Sequence, residues 1–225
     1  MNQEIPAIMI AGGRPRDPAL MARMVSRVFD GIEKPAAAYI GTANNDNPAF
    51  FQMMKSILKS AGADKVVMVH LAKKNPDIDG AKKILEKADL IFLSGGEVED
   101  GMDWLVKHDL AGFLKKLYQD GKRFLGVSAG VIMMGSHWVH WDKEGDDSTA
   151  RLFDCLGITP VLFDVHGEDE GWAELKTALV LLGDGARGYA LPGGSMISAD
   201  SHGGLVNLEK EYIVFKNQCG KILKE

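Results

Sequence analysis

The chain has 225 residues, enough to bury the core of one large α/β domain over residues 1–225, and 46% hydrophobic with 25% charged residues is an ordinary globular balance. A formal net charge of −5, with Lys and Arg scattered and never in a long run, argues against a nucleic-acid or anionic-membrane partner. Cys155 and Cys219 have no CxxC spacing, which argues against a disulfide framework or zinc knuckle. The first residues lack a basic segment, and the apolar run Ile5–Ala11 is too short for a signal or a membrane span, so a reducing cytoplasm is the expected location.

In chain order, Ile5–Ala11 is a short apolar run stopped by Gly12-Gly13 and reads as a buried first strand. Asp17–Phe29 has helical spacing of Leu20, Met21, Met24, Val25 and Val28. Ala36–Ile40 reads as a second strand, followed by a polar loop containing Thr42 and Asn44 and by a helix from Pro48 to Ala61. Lys65–His70 is a third strand, Asp79–Lys87 a helix, and Asp89–Leu93 a fourth strand ending at Ser94-Gly-Gly96. One helical pattern then runs from Val98 to Leu117, and Arg123–Gly126 is the fifth strand. Such strands, apolar on both faces and alternating with helices, predict a three-layer α/β fold whose sheet is mostly parallel.

The fifth strand enters Gly126-Val-Ser-Ala-Gly130, and Val131–Met134 reads as the apolar first turns of a helix. A serine on a strand-to-helix turn between small residues has the pattern of a nucleophile elbow, with its hydroxyl exposed at the carboxyl end of the sheet. There the amide of Ala129 can stabilise an oxyanion, and Gly96 on the neighbouring loop is suited to supply a second donor. Ligands bind beyond the carboxyl ends of strands in such sheets, which is where the loops at Gly12, Thr42–Asn44 and Ser94–Gly96 also fall.

Downstream, Thr159–Val165 reads as a strand that puts His166 at its end, so His166 is the leading base for Ser128. Trp172–Leu182 reads as a helix with Trp172, Leu175, Leu179 and Leu182 inward. The pieces beyond Ala186 suggest an antiparallel edge. His137-Trp-Val-His140-Trp-Asp142 lacks the i, i+4 spacing of a helical zinc pair and reads as a solvated loop with two packed Trp, and no metal or cofactor is expected. Arg14 and Asn44 are candidates for contacting a substrate.

Together Ser94-Gly-Gly96, Gly126–Gly130 and the segment from Phe153 to His166 resemble the peptidase E and cyanophycinase family of serine peptidases, over nearly the whole chain. The resemblance implies a class I glutamine amidotransferase-like fold, Ser128 as nucleophile, His166 as base, and Gly96 and Ala129 as oxyanion donors. It also implies a small peptide or amide substrate. The sequence departs from the pattern in three places. Gly193 stands where the family carries its acid, Gly167 follows the histidine in place of Phe, and Glu174 or Lys176 occupies the region of a substrate-binding Arg. Glu144 is the first choice for a replacement acid, with Asp142, Glu168 and Asp169 as alternatives.

Two readings from different classes stay open: a serine hydrolase acting through an acyl-enzyme, and a catalytically silent binder using the same rim. An α/β-hydrolase expects its acid and then its histidine far downstream, and a glutamine amidotransferase needs Cys at the elbow, so both fit less well. The oligomeric state is open, with a homodimer among the options.

Overall fold

The computed structural model describes residues 5–12, 17–143 and 146–225. β1 (Ala7–Ile10) leads to α1 (Pro18–Ser26), where Asp17 caps the helix by accepting from the Ala19 amide and Pro18 supplies a preset first residue. β2 (Ala36–Ile40) leads to α2 (Pro48–Ser60), capped in the same way by Asn47. β3 (Lys65–Val69), α3 (Ile78–Lys87) and β4 (Leu90–Leu93) follow. The helical pattern expected from Val98 to Leu117 is broken into α4 (Val98–Lys107) and α5 (Ala111–Gln119). The break falls at Asp109, whose φ of 52° is incompatible with a continuous helix.

β5 (Arg123–Val127) passes through Ser128 into α6 (Ala129–Met134). The segment expected as a solvated loop is instead β6 (His137–Trp141), paired antiparallel with β7 (Ala150–Asp154), and Trp138 is buried. β8 (Leu162–Val165) is shorter than the expected strand, and α7 (Ala173–Leu182) follows it. Leu175 and Leu179 are buried as the periodicity predicts, but Leu182 is 38% exposed, because the chain leaves the core at the last helical residue. β9 (Arg187–Leu191), β10 (Met196–Ala199), β11 (Leu205–Glu209), β12 (Ile213–Gln218) and β13 (Lys221–Lys224) complete the chain.

Seven strands form the main sheet in the order β11-β10-β1-β5-β4-β2-β3. The five from β1 to β3 in that order are parallel, while β10 and β11 supply an antiparallel edge. Period-two alternation sends neighbouring residues to opposite faces. Leu90, Phe92 and Leu125 join Met24, Val25, Met54 and Leu58 of α1 and α2 in one core. Ile91, Leu93 and Phe124 join Leu85, Met102, Leu105, Leu114 and Ile132 of α3 to α6 in the other. Burial on both faces is what makes these strands apolar throughout. β8 does not join this sheet; it pairs parallel with β9 in a second sheet of order β13-β12-β9-β8.

The packing of α6 against the sheet leaves no space for side chains at two turn positions. A Cβ on Gly130 would lie 2.1 Å from the Leu93 carbonyl oxygen, and one on Gly126 would lie 2.6 Å from the Gly130 carbonyl oxygen. Gly112, near the start of α5, is open on all sides. Gly130→Ala should therefore destabilise by about 1–3 kcal/mol, the usual range for overpacking. Gly112→Ala should be neutral or stabilising by up to about 1 kcal/mol. Urea unfolding midpoints of the two variants against the parent check both signs.

Candidate active site

Ser128 is held in a backbone conformation of φ 55° and ψ −124°, which a residue with a Cβ rarely adopts. Its amide donates to the Ile10 carbonyl at 3.0 Å, and its carbonyl accepts from the Val131 amide at 2.8 Å, so both sides of the turn are tied down. The hydroxyl is half-buried and hydrogen-bonded to His166 Nε2 at 2.8 Å.

His166 comes from the second sheet. It directly follows β8, has a φ of 45°, and donates its own amide to the Leu191 carbonyl at 2.9 Å. That anchor extends the β8–β9 ladder by one residue and directs the imidazole toward Ser128. The expectation that the end of this strand lies beside the serine is met geometrically, although the strand belongs to the other sheet.

Gly96 and Ala129 both border the cavity at Ser128. Gly96 has a φ of 143°, and a Cβ on it would lie 1.9 Å from the Ala43 carbonyl oxygen, so only glycine lets this loop close over the serine. Asn44 sits below the loop. Its amide nitrogen donates to Ser94 Oγ at 3.0 Å and to the Gly95 carbonyl at 2.9 Å, so its side chain braces the Gly95–Gly96 turn from inside. Tyr39, whose hydroxyl donates to Ser94 Oγ at 2.8 Å, completes that support.

Arg14 and Glu144 lie outside the described residues. Among the described residues, His166 makes no ion pair with a carboxylate. Asp142 is engaged elsewhere, 2.7 Å from Arg151 and 3.3 Å from His140. Glu168 reaches the place where the family resemblance expects the acid, because its Oε1 accepts from the Gly193 amide at 2.6 Å.

The cavity beside Ser128 and His166 has a volume of about 450 Å³. Ile132, Trp138, Val139, Trp141 and Val165 supply its apolar walls. Five carboxyl side chains among the described residues also line it: Glu97, Glu99, Asp100, Asp164 and Glu174. A second concavity of about 430 Å³ lies at the amino ends of the strands, around Asp89 and Arg123, and is not lined by Ser128 or His166. Of the five acids, Glu174 was singled out from sequence. The signal for Asp164 is a charged residue inside the apolar run Val161–Val165.

Asp164 is 3% exposed, and burial, reinforced by the Glu174 charge, pushes its carboxyl up to about 7. Hydrogen bonds from the Val165 and Leu175 amides offset part of that cost. Burial also raises Glu174, with Glu170, Glu97 and Glu99 adding repulsion.

The model of peptidase family S51 matches residues 7–205. The chain belongs to peptidase family S51. Peptidase E of Haemophilus influenzae is 25% identical over 200 residues, covering 85% of this chain and 80% of that protein. A peptidase from an acI-B1 Actinobacterium has the same fold, with a TM-score of 0.70 at 16% identity over 97% of this chain and 96% of that one. A candidate peptidase E protein from Listeria monocytogenes EGD-e superposes with a TM-score of 0.67 at 14% identity, covering 92% of this chain and 98% of that one. No helix among the described residues of this S51 chain is long and apolar enough to cross a membrane.

The raised carboxyl of Asp164 gives the S51 chain a pH-dependent stability. Well below pH 4 the group is protonated folded or unfolded and contributes no difference. Between its ordinary value of 3.8 and about 7 the folded state keeps a proton that the unfolded state releases, so stability falls as pH rises through this window. The full loss is on the order of 4 kcal/mol at 1.36 kcal/mol per pH unit. Asp164→Asn keeps an acceptor for the Val165 amide and removes the titration. Its melting temperature should therefore decline less than the parent's between pH 5 and pH 8 in thermal scans.

Proposed function

We propose that the chain is a serine hydrolase that cleaves small peptides or amide conjugates through a Ser128 acyl-enzyme. The single observation that carries this reading is the 2.8 Å hydrogen bond between Ser128 Oγ and His166 Nε2 at the border of the cavity. With Nε2 unprotonated, the hydroxyl donates to it and is ready to lose its proton as it attacks a carbonyl carbon. The new C–O bond forms as the carbonyl π electrons move onto oxygen, where the amides of Gly96 and Ala129 serve as the oxyanion donors. The imidazolium then returns the proton to the leaving nitrogen as the C–N bond breaks. Water, deprotonated by the same imidazole, hydrolyses the ester and restores Ser128.

Among the described residues the proton relay is a dyad, because none of their carboxylates pairs with His166. In a serine protease triad, loss of the carboxylate costs on the order of 10⁴ in turnover, while catalysis above the water reaction survives. Part of that loss comes from an imidazole free to take the wrong tautomer or orientation. Here the strained backbone at His166 and its amide bond to Leu191 restrict the orientation without an acid.

Gly193, standing where the family carries its acid, also motivates a second reading, a binder that retains the serine without using it. A fluorophosphonate probe separates the two, because an unactivated serine reacts very slowly. The hydrolase reading expects time-dependent labelling confined to Ser128, lost in Ser128→Ala and reduced by at least tenfold in His166→Ala. Peptide mapping by mass spectrometry reads the site. No labelling of the parent over hours would leave only the binder.

A further inference from the structure

Among the described residues, those that border the cavity at Ser128 include five with carboxyl groups and no Lys or Arg. Glu97, Glu99 and Asp100 project from the start of α4 on one side, and Asp164 and Glu174 from β8 and α7 on the other. Acids are common in first helical turns, where the helix dipole favours them. That preference explains Glu99 and Asp100 on α4 and Glu174 on α7 separately, but not why the two helix starts face one cavity beside a Ser–His pair.

Among the described residues, the cations near these acids are already committed. The His140 ring holds Glu99 at 2.6 Å, and Arg151 lies 2.7 Å from Asp142. Lys176, which follows Glu174 on α7, directs its Nζ over the Phe215 ring at 5.3 Å. Glu97 and Glu174 form no ion pair with a Lys or Arg among the described residues. Glu174 is half-buried and Glu97 exposed, and a cation entering between them would relieve the desolvation of Glu174 and its repulsion with Glu97.

We propose that this cavity takes a substrate with a positively charged group next to the scissile bond, with Glu174 as its principal counter-charge. The charged group is either a basic side chain or a free α-amine. The apolar walls at Trp138, Trp141 and Ile132 suit the methylene stem or the remainder of the substrate. A substrate presenting a carboxylate here meets acids on both sides and is rejected.

This inference rests on the hydrolase reading for the word substrate, but its test reads binding and so can fail separately. The Ser128→Ala protein is titrated calorimetrically with lysinamide, N-acetyl-lysinamide, norleucinamide, N-acetyl-norleucinamide and N-acetyl-aspartamide. N-acetyl-lysinamide binding at least tenfold tighter than N-acetyl-norleucinamide (about 1.4 kcal/mol) assigns the side chain. Norleucinamide binding tighter than its acetylated form by the same factor assigns the α-amine. In either case Glu174→Gln, in the Ser128→Ala background, should remove most of the preference while circular dichroism shows an intact fold. Equal binding of the neutral and cationic ligands, preference for the aspartyl ligand, or no binding by any of them overturns the proposal. Hydrolysis of the matching anilides by the parent, tested beside fluorophosphonate labelling, reports on the hydrolase reading alone.

Discussion

The structure around Ser128 depends on how closely α6 can approach the sheet. The Gly130 Cα sits against the Leu93 carbonyl, and the Gly130 carbonyl sits against Gly126, so α6 starts directly over the carboxyl ends of β4 and β5. The chain must reverse within one residue, and that residue is Ser128, forced to positive φ. Strain of this kind costs of order 1–3 kcal/mol and persists only where surrounding packing over-determines it. Here α6 is buried along its whole length, from Ala129 to Met134, and supplies that packing. The hydroxyl is thereby fixed by the backbone before any partner side chain is considered.

The second half of the site comes from a different sheet, and its positioning is correspondingly indirect. His166 is carried by the β8–β9 ladder, and the segment after β9 returns to the first sheet when the Gly194 amide donates to the Gly12 carbonyl at 2.9 Å. Gly193 lies in that returning segment. Glu168 takes its amide, and Lys210 Nζ donates to its carbonyl at 2.9 Å, so side chains hold the main chain at the position from which the family resemblance expects an acid to project. A carboxylate is therefore still present in this neighbourhood, supplied two residues after the histidine, but it accepts from a backbone amide and forms no ion pair with the imidazole.

The parallel core was legible in the sequence because each of its strands is apolar on both faces and is punctuated by Gly, Asp or Asn. The bounds of Ala36–Ile40 and the start of α2 at Pro48 follow directly from such punctuation. That Ser128, Gly96, Ala129 and His166 would border one cavity was legible because strand ends and glycine turns mark the rim of a sheet. The second sheet was not, because β8 has the same apolar composition as a main-sheet strand and nothing local says which edge it joins. The β6–β7 hairpin escaped for a related reason: His and Trp alternate along it, and one buried Trp face is indistinguishable from a loop until its partner is known. Asp164 was passed over because it lies inside the run read as the strand Thr159–Val165, where nothing local marks it as a buried wall of the cavity.

Asp164 and Glu174 also connect the stability of the fold to the chemistry of the cavity. Burial disfavours the ionised form of each; the Glu174 charge adds to this at Asp164, and Glu170, Glu97 and Glu99 add to it at Glu174. Such a pair can be neutralised by protons, at a cost that appears as pH-dependent stability, or by an opposite charge placed between them. These alternatives compete for the same carboxylates, so a cation that binds must displace a proton, and affinity should grow as pH rises while the empty protein becomes less stable. A pair neutralised by a permanent internal Lys or Arg would show neither effect. Among the described residues no Lys or Arg answers these carboxyls beside the hydroxyl, so a cation filling the site would also stabilise the fold.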